Sequence, residues 1–282
     1  MKKLLTFLKP IAIYTVLSIA VIVSIMPVLW IVLLSFKTPL ETLELPPKLF
    51  FKPTLESYRM LFSGGGSTNV VNLNLFLKNS FIVATVSTVI TMVFALFSAY
   101  SLSRFKFRGK NLIGVVILAT RMLPPLASAI PLFIIFQRAG LYDTHVGLII
   151  AYIAINIPFA IWMVRGFIDD VPVEIEEAAH MDGCSRLGML WRIIIPVTTP
   201  GIAAAAAYTF ILAWNDFALA LMLTSGNVKT MPLMVLSFLT AEGIEYGPMT
   251  AASTLALLPP IVFVIFAQKY LARGLTMGAV KG

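Results

Sequence analysis

The polar residues of this chain fall into two groups whose types and spacing could do chemistry. The first lies between Arg165 and Arg186, where six acids occur with no Lys or Arg among them: Asp169, Asp170, Glu174, Glu176, Glu177 and Asp182. Asp169 or Asp170 can cap a helix there, and Pro172 suits its first turn. Acids in that turn complement the helix dipole. The spacing predicts a helix to about Met181, with a narrow stripe of Ile175, Ala178 and Ala179 that Met181 can extend. Asp182-Gly183 signals a turn. Ser185 can cap a second short helix from Arg186 to Ile194, expected to end at Pro196. A lone helix of two to three turns is marginal in water, so this one needs a partner or a membrane domain beneath it. Its small-residue face suits docking into a groove on another protein.

The second group sits inside apolar sequence: Arg121, Asn156, Trp214, Asn215 and Asp216. A charge within a bilayer costs a few kcal/mol on insertion scales, so it faces a cavity or a partner. Arg121 falls roughly ten residues, or about 15 Å, into its window, near the midplane. It can tie down the backbone break at Pro124 and Pro125 or pair with Asp216 or a partner subunit; alternatively it faces a ligand. Catalysis is not indicated. Two histidines (His145 and His180) and one cysteine (Cys184) make neither a nucleophile–base–acid set nor a Cys-based metal cluster.

Composition states what must position these groups. Hydrophobic residues make up 59% of the chain and charged ones 12%, which excludes an ordinary soluble domain and a disordered chain. The net charge of +8 fits cationic cytoplasmic loops better than nucleic-acid binding. A spanning helix needs about 20 mostly apolar residues. Six windows qualify, near 11–35, 79–102, 112–136, 145–164, 200–224 and 247–268. They predict an all-α membrane protein in a single domain with both termini on one side. The first window is too long for a signal h-region and reads as a retained helix, with Pro27 tolerated inside it. One side of this topology collects 13 Lys and Arg against 7 on the other, so the richer side, with both termini, is predicted to be cytoplasmic. The acidic segment 166–196 is then a cytoplasmic loop between the fourth and fifth spans. The external loop 37–78 reads as a small subdomain whose Leu49, Phe50, Phe51, Tyr58, Leu61 and Phe62 need a surface, with a flexible tip at Gly64-Gly65-Gly66-Ser67. Ala203–Ala207 would let helices approach closely in lipid.

The loop also carries a resemblance. Glu177-Ala178-Ala179, three residues, Gly183, nine residues, then Ile193-Ile194-Ile195-Pro196 resembles the E-A-A-x3-G-x9-I-x-L-P signature of ATP-binding-cassette importer permeases. Ile195 in place of Leu is the one departure. Ser35-Phe36-Lys37, Asn79-Ser80, Trp214-Asn215-Asp216 and the tail Gly274–Gly282 resemble the carbohydrate-uptake branch, in particular the smaller, six-span permease of maltose/trehalose-type systems.

The resemblance implies a type I importer permease fold with a cytoplasmic coupling helix. Glu176, Glu177, Ala178, Ala179, Met181, Asp182 and Gly183 would form the ATPase-coupling set, and the tail would also touch the ATPase. It implies a second homologous permease, a dimer of ATPase subunits, an extracytoplasmic solute-binding protein, membrane lipid and a sugar substrate. It places the chain in a prokaryotic cytoplasmic membrane, and no nucleic acid is implied. Arg121, Asn156, Trp214, Asn215 and Asp216 become candidates for the sugar path, since sugar sites combine amide, carboxylate and aromatic faces. The chain has no G-x4-G-K-[ST] loop, so ATP–Mg would belong to the partner ATPase and this chain would bind no cofactor. The competing class is a self-sufficient secondary transporter of a small polar solute. It would need a proton or sodium relay, for which Asp216 is the acid available.

Overall fold

A computed structural model describes residues 2–63, 72–122, 125–240 and 243–277, with the side chains of 2–9, 11, 125–126 and 269–277 left undescribed. In chain order the helices are α1 (Lys2–Ser35), α2 (Glu56–Ser63), α3 (Leu73–Arg104), α4 (Lys110–Ala119), α5 (Ala129–Arg138), α6 (His145–Asp169), α7 (Val173–Met181), α8 (Arg186–Met189), α9 (Ile195–Trp214), α10 (Ala218–Leu223), α11 (Met231–Met234) and α12 (Tyr246–Met277). A two-stranded antiparallel ribbon, β1 (Leu239–Thr240) and β2 (Gly243–Ile244), lies between α11 and α12.

Among the described residues, five stretches are long and apolar enough to cross a bilayer: Ala12–Ser35, Leu73–Arg104, His145–Asp169, Arg186–Trp214 and Tyr246–Gln268. The window expected at 112–136 is not one continuous helix. It is two ten-residue helices, α4 and α5, with 3-10 turns at Thr120–Met122 and Pro125–Ser128 between them. Proline lacks the N–H and crowds the preceding turn, so an α-helix does not run through this point. Pro124 itself lies outside the described residues.

The fifth window differs in both directions from its expected 200–224. The helix expected to end at Pro196 continues: α8 passes through a π-helical segment, Leu190–Ile194, directly into α9. Pro196 cannot donate to the carbonyl four residues back, and one wider π turn just before it absorbs that loss without breaking the helix. At the other end α9 stops at Trp214, with Asn215 as its C-cap, and a separate short helix, α10, follows.

The chain divides into two compact units. The first holds Met1–Leu73 and Met234–Leu257. Here Lys37 is 2% exposed, with its ammonium over the rings of Trp30 (5.7 Å) and Phe51 (5.1 Å). The Ser35 hydroxyl meets that of Tyr58 at 2.8 Å, and the Tyr58 ring packs on Phe36. Leu61 is buried, but Leu49, Phe50 and Phe62 are exposed, so the external segment covers only part of its apolar set. Gly64-Gly65-Gly66-Ser67 lies outside the described residues.

The second unit holds Asn74–Leu233 and Leu258–Gly282. Its core knits α3, α6 and the π segment together through Ala99, Tyr100, Val164, Ile168, Leu190 and Ile194. Small residues set the spacing between α6 and α9. Ala204 and Ala205 are fully buried. A Cβ on Gly201 would lie 2.1 Å from Cγ of Phe167, so that position accepts only glycine at this separation.

Candidate functional site

The loop 166–196 folds as a hairpin whose corner is dictated by one residue. Gly183 has φ of +80°, where glycine alone meets no steric penalty. The Cys184 N–H bonds the Ala179 carbonyl at 2.9 Å, and the Gly183 N–H bonds that of His180 at 3.0 Å. These are the paired bonds of a Schellman cap, which satisfy the last carbonyls of α7. Ser185 caps α8 as expected, its hydroxyl accepting from the Gly188 N–H at 3.2 Å. The helix start differs from expectation. Pro172 stands at the N-cap of α7 and no side chain caps it. Asp169 ends α6 and Asp170 is its C-cap. The Asp169 carboxylate instead accepts from the Ser103 hydroxyl and pairs with Arg165 at 3.3 Å.

The hairpin presents Glu177, Ala178, Met181, Asp182 and Gly183 to solvent, and Ala179 is half-buried. Met181 is 87% exposed. Ile175 and Leu187 are exposed beside them. Glu176 is the exception. It is buried, its carboxylate taken by Arg104 and by the Tyr100 hydroxyl (3.1 Å) at the end of α3. One glutamate therefore holds the helix from behind while its neighbour faces outward with the alanines.

The intramembrane candidates separate. Arg121, Asn156 and Asp216 line one cavity of about 360 Å³ with Thr120, Pro158 and Leu212. Arg121 does not pair with Asp216. Its Nη1 donates to the Ile155 carbonyl (2.8 Å) and Asn156 Oδ1 (3.4 Å), and its guanidinium lies 5.6 Å from the Phe159 ring centre. Pro158 lacks the N–H that would bond the Ala154 carbonyl, and Ala154 lines the same cavity. Asp216, expected within a helix, instead lies in the turn between α9 and α10, its carboxylate accepting from the Leu219 N–H at 3.0 Å. Trp214 is buried and stacks on Phe210, and Asn215 is exposed; neither lines the cavity. The His145 Nε2 meets Asn79 Oδ1 at 2.9 Å.

Sequence reasoning missed a clamp on the segment after α10. The Asp143 carboxylate accepts from the backbone N–H groups of Ser225, Gly226, Asn227 and Val228 and from the Asn227 side chain. Burial alone would raise its pKa, but these four N–H donors outweigh it and hold it below the usual value. The Asn79 amide donates to the Asn227 and Lys229 carbonyls, and Ser80 accepts from the Met231 N–H. Asn79-Ser80 is thus a loop anchor. An Asp-Thr pair before a helix was the available sign, but its partners lie 82–85 residues downstream.

Long apolar helices of this length are the build of a multi-pass membrane protein. The chain belongs to the family of binding-protein-dependent transport system inner membrane components, whose model matches residues 91–277. It is 36% identical over 263 residues to the trehalose transport system permease protein SugB of Mycobacterium tuberculosis, covering 92% of this chain and 93% of that one. It is 32% identical over 263 residues to the trehalose/maltose transport system permease protein MalG of Thermococcus litoralis, covering 93% of each. In fold it is similar to a chain of a bacterial ABC transporter involved in the import of the acidic polysaccharide alginate (TM-score 0.76, 22% identity, covering 93% of this chain and 96% of that chain).

Proposed function

We propose that this chain is one of two permease subunits of an ATP-driven sugar importer, and that α7 is its coupling helix. The observation that carries the reading is the α7 hairpin: Glu177, Ala178, Met181 and Asp182 are exposed on a helix fastened from behind by Glu176. A surface so built suits a cleft on a cytoplasmic ATPase subunit. Glu177 offers it a charge, and Ala178 and Ala179 allow close approach. The sugar assignment draws support from the trehalose and maltose names of the two relatives.

On this reading the broken segment Lys110–Arg138 is the remaining crossing, which makes six and puts both termini in the cytoplasm. A second, homologous permease covers the apolar faces left exposed within the membrane. A binding protein delivers sugar from outside, and ATP–Mg is held by the ATPase alone. Closure of the ATPase dimer draws the coupling helices together, the permeases open outward, sugar enters, and hydrolysis resets them. This is alternating access around a midplane site. The cavity of Arg121, Asn156 and Asp216 is the part of the path this chain contributes, offering hydrogen-bond donors and acceptors in a partly apolar wall.

The test is reconstitution in liposomes with radiolabelled trehalose and maltose. Uptake is expected only with the ATPase, the second permease, the binding protein and ATP all present. Uptake by this chain alone without ATP would contradict the reading and return attention to Asp216 as a proton-coupling acid.

A further inference from the structure

We infer that Arg104 is the positioning residue that makes the coupling helix and the end of α3 one rigid body. The inference rests on the docking role proposed for α7. All three nitrogens of the Arg104 guanidinium are engaged. Nε meets Glu176 Oε1 on α7. Nη2 donates to the carbonyls of Ile168 (2.9 Å) and Val171 (2.8 Å), where α6 ends. Nη1 donates to Ser103 Oγ (3.0 Å), which in turn donates to Asp169.

The second Glu176 oxygen accepts from Tyr100, one turn back on α3. Tyr100 packs edge-on against Phe105 (6.0 Å), and the Arg186 guanidinium at the start of α8 lies 4.9 Å from that Phe105 ring. Three elements, α3, the end of α6 and α7, therefore meet at one guanidinium–carboxylate pair whose side chains are 10% and 8% exposed, and α8 reaches it through Phe105 and Tyr100.

The chemistry explains why Arg is used. A planar fork satisfies a carboxylate and two main-chain carbonyls at once, which a lysine ammonium on a flexible stem does not. The carbonyls at a helix C-terminus also favour a cation. A buried pair of this kind adds little net stability over apolar packing, but losing one member leaves an unpaired buried charge. Its value is geometric. A docking contact transmits force only if the helix it holds cannot slip against the spans. Arg104 and Glu176 remove that slip by joining α7 to α3 and to the end of α6 through side chains rather than through the peptide Asp170–Pro172 alone.

The test needs only the full-length chain in nanodiscs. Cys184→Ser removes the single thiol, and spin labels go on Lys78→Cys, exposed on α3, and Met181→Cys, exposed on α7. With Arg104 and Glu176 intact, one narrow distance is expected. Arg104→Gln, Arg104→Lys and Glu176→Gln should each roughly double the width of the distribution, with Tyr100→Phe broadening it less. In the assembled complex, Arg104→Lys should keep the ATPase bound and hydrolysing ATP while sugar moved per ATP falls about tenfold. A purely structural role would not split those two readings. An unchanged narrow distance in Arg104→Lys and Glu176→Gln overturns the inference. If Arg104→Gln fails to fold, Arg104→Lys and Glu176→Gln decide it alone. Failure of the docking reading is seen separately, as ATPase recovery that is indifferent to Glu177→Lys.

Discussion

Gly183 gives the sharpest prediction, because conformation and space are separable there. Its φ is +80°, yet a Cβ built on it has nothing within 4 Å. In the chain as it stands, only the backbone angle opposes a side chain. A left-handed conformation costs an ordinary residue about 1–2 kcal/mol and costs Asn less. If that strain is relieved by shifting α7 out of its docking pose, affinity for the ATPase falls by a factor of about 5–30 for Gly183→Ala. Gly183→Asn should stay within a few-fold of the parent. Gly183→Pro should abolish docking, since proline holds φ near −65° and lacks the N–H that bonds the His180 carbonyl. The assay is titration of labelled ATPase subunit onto the permease in nanodiscs. Parent, Asn, Ala and Pro should rank in that order. Equal affinity across the series would show that the backbone angle at Gly183 does not set the docking pose of α7. Asn as damaging as Ala would show that glycine is needed for contact with the partner rather than for its angle.

Other outcomes follow from the same contacts. Gly201→Ala should destabilise the chain by about 1–3 kcal/mol through collision with the Phe167 ring. Phe167→Leu in the same chain should recover part of that loss in thermal unfolding of the detergent-solubilised protein. Asp143→Ala should strip the N–H of buried Val228 of its acceptor and lower local protection of Ser225–Val228 by about 1–3 kcal/mol in hydrogen exchange. The Asp143 pKa is held below its ordinary value of 3.8, so its contribution is complete above that pH and is lost as pH falls through the folded value. Protection factors should show that loss in the parent and not in Asp143→Asn. Arg121→Met should leave the complex assembled while lowering sugar uptake, measured with labelled trehalose; unchanged uptake would make Arg121 solely a tie to the Ile155 carbonyl.

Five of the six expected spans are legible as long apolar helices because apolar length is a property of single windows, and the corner of the hairpin is legible because its turn and the Ser185 cap are local. Gly183 and Ser185 carry their own turn and cap chemistry, and both act as read. What escapes the sequence depends on contacts distant in the chain. The inward turn of Glu176 requires Arg104, 72 residues earlier. Read alone, Arg104 is one cation in a basic loop, informative about orientation only. Asp143 escapes for the same reason. The helix through Pro196 is unexpected because proline signals an end, and the π segment that carries it past is not written in residue type. Arg121 and Asp216 line one cavity, but the ion pair between them is one option among several that composition leaves open, and the backbone carbonyl of Ile155 takes the arginine instead.

Coupling of this chain to an ATPase through α7 is the step on which the proposed transport cycle depends. The most direct measurement is a pull-down of the tagged chain from solubilised native membranes, with co-purifying proteins identified by mass spectrometry, for the parent and for Glu177→Lys. The account predicts an ATPase and a second permease with the parent, and loss of the ATPase with retention of the permease in Glu177→Lys. Recovery of the chain without an ATPase, or an ATPase retained equally by both, would contradict it.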